Sequence, residues 1–185
     1  MLAEVEREAR ARMEAAVESL RSDLASIRTG RASPALLDRI RVDYYGTPTS
    51  LQQLAGVSVP EPAMLMIRPW DRGTLGLIER AVLQSDLGLT PNNDGQVIRL
   101  NIPVPTEERR RELARMVAKR VEEGRVAVRN IRRDALSDVK EMESEKMITE
   151  DDLDDGREWL QKLTDSHIER LEEVGKQKHD EIMQV

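Results

Sequence analysis

Apolar residues near the start of the chain recur every three or four positions, which is the spacing of one face of an α-helix. They are Val5, Ala9, Met13, Ala16, Leu20, Leu24 and Ile27. The pattern predicts a first helix that ends at Thr29-Gly30, because glycine can adopt the left-handed conformation that stops a helix.

The last 80 residues carry two more series of the same spacing. The first predicts a helix from roughly 106 to 145 with Thr106 as its N-cap, and comprises Leu113, Val117, Val121, Gly124, Val128, Ile131, Ala135, Val139 and Met142. Gly124 would let a neighbouring helix approach closely, or it is simply a tolerated helical glycine. The second predicts a helix capped by Thr149, and comprises Leu153, Leu160, Leu163, His167, Leu171, Val174 and Ile182.

Residues 31–104 have a different composition, with six of the ten glycines and seven of the eight prolines. Proline and glycine interrupt helices, so this segment must consist of short elements. Alternating patterns predict strands at 39–45, 54–59, 64–67 and 97–102, and a helix at 74–87. The sequence therefore predicts a two-domain α+β protein. A long antiparallel three-helix bundle (domain I, 1–30 and 105–185) carries an inserted small α+β domain (domain II, 31–104).

The two joins between these domains, at 29–34 and 103–105, must lie side by side. They contain Thr29, Gly30, Ser33, Pro34, Pro103 and Pro105. Two short, stiff tethers would allow bending about one region, so the joins are predicted to form a hinge. Rigid packing of the two domains is the alternative.

Composition narrows the chemistry that the chain can perform. It has no cysteine and only two histidines, which excludes disulfides, thiolate catalysis and cysteine-based metal sites. No phosphate-cradling glycine motif, nucleophile elbow or apolar span of membrane length occurs. We therefore expect a cytoplasmic protein without metal or cofactor that is neither an enzyme nor a membrane protein. Of the few aromatics, Trp70, Trp159 and one residue of the pair Tyr44-Tyr45 are expected to pack in the core.

Charge is distributed unevenly along the bundle, although the whole chain carries a formal charge of −6. Residues 105–140 contain eleven basic and seven acidic residues, whereas 141–185 contain six basic and fifteen acidic ones. Arg125, Arg129 and Arg132 share one helix face with Arg133 beside them, and positions 125–133 contain no acid. This cluster is either a phosphate-binding stripe or a solvated face paired with the acidic third helix. Arg28 and Arg31, beside the first tether, either cap the first helix or extend such a phosphate-binding track.

Five segments together resemble one family, the ribosome recycling factors of bacteria and organelles. They are IRTGRASP (27–34), VDYYGTP (42–48), SDLGLTPN (85–92), TEERR (106–110) and RVAVRNIRRD (125–134). They follow the family's order across the whole chain, and the length matches as well. Thr90, where the family commonly has asparagine, is a minor departure.

The resemblance implies a three-helix bundle and a β/α/β domain hinged into an L. It also implies a protein that binds the large ribosomal subunit after termination, through ribosomal RNA. One apolar seam per helix leaves the bundle no spare apolar face, so the apolar pattern itself predicts a monomer. With elongation factor G and GTP, such a protein splits the ribosome so that subunits, mRNA and tRNA are recycled. Within the matched motifs, Arg129, Arg132 and Arg133 become the first RNA-contact candidates, followed by Arg28 and Arg31, while only helical spacing supports Arg125. A scaffold or chaperone-like coiled-coil protein is the rival from another class, and it would bind through an apolar stripe with little dependence on salt.

Overall fold

A computed structural model describes residues 1–184 as two compact units, Met1–Arg28 with Glu108–Gln184, and Thr29–Glu107. The larger unit contains helices α1 (Leu2–Ala25), α4 (Glu107–Ser144, whose first residue belongs to the smaller unit) and α5 (Glu150–Met183). The smaller unit contains strands β1 (Arg41–Tyr44), β2 (Thr47–Ser50), β3 (Ala55–Glu61), β4 (Met64–Pro69), β5 (Pro91–Asn93) and β6 (Ile98–Asn101), with helices α2 (Leu51–Leu54) and α3 (Leu75–Gln84). The predicted α+β class is confirmed, with three long helices and an inserted sheet.

The core of the larger unit is built from aliphatic side chains along the three predicted apolar series. Val5, Ala16, Ile27, Met142 and Val174 are half-buried, and the other members with side chains are buried. Val17, which the spacing left out, is fully buried as well. Trp159 packs against this core with the Arg10 guanidinium 5.7 Å from its ring, which confirms the expectation for this residue.

Glycines allow α4 and α5 to approach each other closely. A Cβ atom on Gly124 would lie 3.1 Å from Cδ2 of Leu171, and one on Gly156 would lie 3.2 Å from Cγ1 of Val139. A Cβ atom on Gly175 would overlap Cγ2 of Val121. The close-approach interpretation of Gly124 is therefore confirmed, and the same device recurs at two further positions.

The helix ends show one confirmed prediction and one wrong one. Thr149 caps α5, since its hydroxyl accepts the Asp152 N–H at 3.1 Å while its own N–H donates to the Asp152 carboxylate at 2.9 Å. The Thr149 hydroxyl also donates to this carboxylate at 2.7 Å, and that bond together with the one from the Thr149 N–H lowers the pKa of Asp152. Helix α1 ends at Ala25, not at Thr29-Gly30. The Ser26 hydroxyl donates to the carbonyl of Asp23 at 2.7 Å, so a serine already satisfies the last turn four residues earlier.

A buried histidine links α1 to α5. His167 lies on the α5 seam, as its place in the apolar series predicts, with Nδ1 2.8 Å from the Leu163 carbonyl and Nε2 3.4 Å from Glu14. Arg170 donates two hydrogen bonds of 2.6 Å to the same carboxylate and lowers the pKa of Glu14 to about 2. This pairing fixes the register of the two helices.

The smaller unit is a four-stranded antiparallel sheet of order β3-β4-β6-β5 with a separate β1-β2 hairpin. One side of the sheet forms a core with α3 and the hairpin, including Val42, Leu65, Ile67, Ile78 and Leu100. Strand β2 was not predicted, because Thr47 to Ser50 contains no apolar alternation. Strand β5 was missed for the same reason, since it consists of Pro-Asn-Asn. Helix α2 was not predicted either, since its four residues are too few to show a helical period.

Two of the expectations about aromatic packing are wrong, the one for Trp70 and the one that a residue of the Tyr44-Tyr45 pair lies in the core. Tyr44 and Tyr45 are 36% and 79% exposed and meet edge to face at the hairpin turn. Tyr45 has a φ of 50° and Gly46 a φ of 86°, so the turn itself directs the tyrosines outward. Trp70 is 71% exposed, because it follows β4 on the side of the sheet that lies away from the core.

We expect Gly175→Ala to destabilise the larger unit by about 1–3 kcal/mol, because its methyl group would collide with Val121. Without the collision the same substitution would stabilise the helix, since alanine exceeds glycine in helix propensity by about 1 kcal/mol. The sign of the change in unfolding free energy therefore reports whether the collision occurs. Chemical denaturation of the two single variants and of the Gly175→Ala/Val121→Ala pair measures the coupling. A double variant more stable than the sum of the two single effects is expected, and strict additivity would contradict the close approach.

Candidate nucleic-acid interface

Helix α4 presents one exposed face that carries two of the predicted arginines. This arginine face consists of Val126, Arg129, Asn130, Arg133 and Ser137, which are all exposed. Each lies three or four positions from a member one turn away along the helix. The sequence did not single out Val126, Asn130 and Ser137. Their outward spacing was visible beside the inward series that contains Val128 and Ile131.

Of the two arginines on this face, Arg133 has fewer partners within residues 1–184. Within residues 1–184 it has neither a hydrogen bond nor an ion pair, and the acid that follows it is already occupied. The Asp134 carboxylate accepts a hydrogen bond of 3.0 Å from Arg12 of α1. The positive charge of Arg133 is therefore available to an outside anion.

Arg129 is less free than Arg133. It is half exposed and lies 3.4 Å from the Glu122 carboxylate, a long contact in solvent that contributes little. Glu122 also accepts a shorter bond of 2.9 Å from Arg125, and these arginines lower its pKa. Although positions 125–133 contain no acid, Glu122, three residues before the cluster, therefore pairs with it.

Arg125 and Arg132 point towards α5 and do not join the arginine face. The Arg125 side chain is 29% exposed and donates to Glu122 at 2.9 Å and to Glu172 of α5 at 2.8 Å. These two carboxylates raise its pKa. Arg132 is half-buried and donates to the Gln161 amide oxygen of α5. Both side chains therefore hold α4 to α5, which matches the pairing interpretation for this half of the cluster.

Arg28 and Arg31 are exposed on either side of the point where the chain passes from one unit to the other. Helix α1 ends at Ala25, so Arg28 lies three residues beyond its last turn.

The tether residues Thr29, Gly30, Ser33, Pro34, Pro103 and Pro105 all lie in the smaller unit. Gly30 has a φ of 80°, and a Cβ atom there would overlap Cδ of Pro105 and lie 3.2 Å from the Pro103 carbonyl oxygen. The Ala32 N–H donates to Pro62 and the Ile102 N–H donates to Ala63, both at 2.7 Å. Within this unit, the two connecting segments are fastened to each other and to the sheet.

The arrangement suits the recognition of anions. Exposed guanidinium groups bind phosphate oxygens in a bidentate manner and set orientation without reading sequence. Among residues 1–184 no group of three or more potential metal ligands is found, and no helix is long and apolar enough to cross a membrane.

Comparison with known proteins gives consistent matches. The family model described as "Ribosome recycling factor" matches residues 20–183. The ribosome-recycling factor of Carboxydothermus hydrogenoformans is 50% identical over 185 residues, and that of Shouchella clausii 51%, each covering 100% of both chains. A solution structure of the ribosome recycling factor superimposes with a TM-score of 0.76 at 42% identity, covering 100% of this chain and 98% of the other.

A second similar solved structure shows a ribosome recycling factor together with elongation factor G. It contains models of the T. thermophilus ribosome recycling factor and the E. coli elongation factor G, bound to the E. coli post-termination complex. The matching chain has a TM-score of 0.64 and 43% identity, and the alignment covers 98% of each chain.

Substitutions of a paired and of an unpaired arginine in the cluster should differ in their effect on stability. Arg125→Ala leaves Glu122 and Glu172 without their shared cation, so we expect it to destabilise the larger unit by about 1 kcal/mol. Arg133→Ala removes an unpaired exposed side chain and should change stability by less than about 0.5 kcal/mol. Equal melting temperatures of the two variants would contradict this division.

Proposed function

The chain belongs to the ribosome recycling factor family, and on that premise we propose that it binds the large ribosomal subunit after termination. Acting with elongation factor G and GTP, it splits the post-termination ribosome so that subunits, mRNA and tRNA are reused. The neighbour placed with elongation factor G on a post-termination complex supports both partners. The chain acts in the cytoplasm as a monomer. It needs no cofactor and hydrolyses nothing, since GTP is the substrate of its partner.

The observation that carries the ribosome contact is the arginine face of α4. Arg129 and Arg133 are exposed one helical turn apart, and Arg133 has no partner within residues 1–184. Ribosomal RNA offers phosphate oxygens at high density, and arginine binds them as a rigid fork. These two residues are the primary contacts of the proposal.

The other four arginines are weaker candidates for RNA contact. Arg132 can reach RNA only by leaving Gln161, and Arg125 only by leaving two carboxylates. We assign them to orienting α4 against α5, with any RNA contact secondary. Arg28 and Arg31 stand in a matched motif and extend the contact beyond α1.

Co-sedimentation with purified large ribosomal subunits across a salt series tests the arginine face. Each lost charge-assisted hydrogen bond contributes about 1.5–3 kcal/mol. We therefore expect Arg129→Ala/Arg133→Ala to bind at least about tenfold more weakly and to show a shallower salt dependence.

Arg7→Ala/Arg21→Ala is the matched control, because it removes two exposed arginines of α1 whose ion pairs within residues 1–184 are with Glu4 and Glu18 of the same helix. The control should bind as the unchanged chain does. Equal binding by the two double variants would remove the arginine face from the mechanism.

The tethers supply the proposed mechanical part of the function. The bundle, with close-packed helices, resists deformation and can carry a displacement along its length. The chain passes between the two units at the tethers, so the hinge of this proposal lies there. It comprises Thr29, Gly30, Ser33, Pro34, Pro103 and Pro105. A push from elongation factor G on the smaller unit then acts on an anchored rod.

We expect Gly30→Ala to slow subunit splitting while leaving binding to the large subunit unchanged, since its methyl group would push the tethers apart at Pro105. Gly88→Ala is a matched control. Gly88 also has a positive φ, of 66°, but has nothing within 4 Å of its Cβ position. The control incurs only the backbone strain of about 1–2 kcal/mol. Splitting at the same rate by the two variants would show that the fastened tethers are dispensable.

A further inference from the structure

The four-stranded sheet of the smaller unit has one side that no element of the unit covers. Strand β4 alternates along its length, with Leu65 and Ile67 buried in the core and Arg68 exposed on the other side. The register places Gly56 and Ser58 of β3 opposite Arg68 and Met66, and Arg99 of β6 opposite Met66. Residues paired directly across strands share a face. We call this the open sheet face, and it comprises Gly56, Ser58, Met66, Arg68, Trp70 and Arg99.

Trp70 is held as a platform at one end of this face. Its indole lies over Gly56, since a Cβ atom there would be 3.3 Å from Cη2 of Trp70. Its backbone N–H donates to the Leu54 carbonyl at 3.0 Å, which fixes the end of the strand. The side chain is nevertheless 71% exposed, and its indole N–H has no partner within residues 1–184. One ring face is therefore supported by the neighbouring strand while the other is offered to solvent.

An unbalanced positive charge lies beside this platform. Arg68 has no hydrogen bond or ion pair in the part of the chain that the structure describes. Of the nearby acids, Asp94 pairs with Arg99 at 2.6 Å, and the Asp71 carboxylate accepts the Gly73 N–H at 2.9 Å and forms no ion pair with Arg68. Glu61 lies at the far end of β3, beyond a shift in register. The local chemistry is a flat aromatic ring next to a free guanidinium group.

We infer that the open sheet face binds an unpaired RNA nucleotide, with the base stacked on Trp70 and its phosphate on Arg68. The four-stranded sheets of RNA-recognition modules stack unpaired bases on aromatic residues, and neighbouring cations contact the RNA backbone. A protein hot spot is enclosed by contacts that exclude water. Apart from the half-buried Met66, the neighbours of Trp70 on this face are instead glycine, serine and arginine. The inference rests on the proposed function, since a ribosome-bound protein meets unpaired ribosomal RNA.

The Trp159→Phe variant makes Trp70 the sole tryptophan and so provides a direct signal. We expect titration with a twelve-residue oligoadenylate to quench Trp70 emission, with a midpoint that rises with salt. Arg68→Ala in this background should raise the midpoint about tenfold. Arg80→Ala is the matched control, since Arg80 is an exposed arginine on α3, on the covered side of the sheet, and it should leave the midpoint unchanged. Trp70→Ala, which retains Trp159, should show no quenching.

Absence of quenching at low salt, or equal midpoints for the Arg68 and Arg80 variants, would overturn the inference. Quenching by an acidic Glu-Leu peptide but not by oligoadenylate would overturn it in favour of a protein partner. The titration contains no ribosomes, so its outcome is independent of the proposed function. Loss of binding to large subunits with intact quenching by oligoadenylate would count against the proposed function alone.

Discussion

The close approach of α4 and α5 at Gly124, Gly156 and Gly175 is the constraint on which the larger unit depends. Each glycine faces an aliphatic side chain of the partner helix, and at Gly175 no other residue would fit without movement. Close packing of this kind lets a bundle form without phenylalanine and with a single half-buried tryptophan. It also keeps the apolar seams narrow, so the outer face of α4 is free to carry arginine.

The same contact between helices divides the arginines into two roles. Glu172 and Gln161 of α5 reach Arg125 and Arg132, and these arginines become part of the packing. Arg129 and Arg133, one turn away on α4, remain outside. The close approach of α5 thus determines which arginines of α4 stay exposed and can bind RNA.

Periodicity was sufficient to predict the long helices, because their cores follow one repeating face from Ala9 to Ile182. It failed where local chemistry takes over. Ser26 ends α1 early through a single hydroxyl bond, and Thr47 to Ser50 forms a strand by pairing with β1 without any apolar alternation. Trp70 was assigned to the core on residue type alone, whereas its side of the sheet depends on the register of β4. The split of the arginine cluster could not be predicted either, since Glu172 and Gln161 approach it only through the fold.

We propose that this chain presents phosphate-binding arginines on a stiff bundle and splits ribosomes together with elongation factor G. Light scattering tests this on post-termination ribosomes mixed with the chain, elongation factor G and GTP, with each component omitted in turn. Scattering should fall to the level of free subunits only when all three are present. Scattering that stays constant in the complete mixture, or that falls equally without the chain, would contradict it.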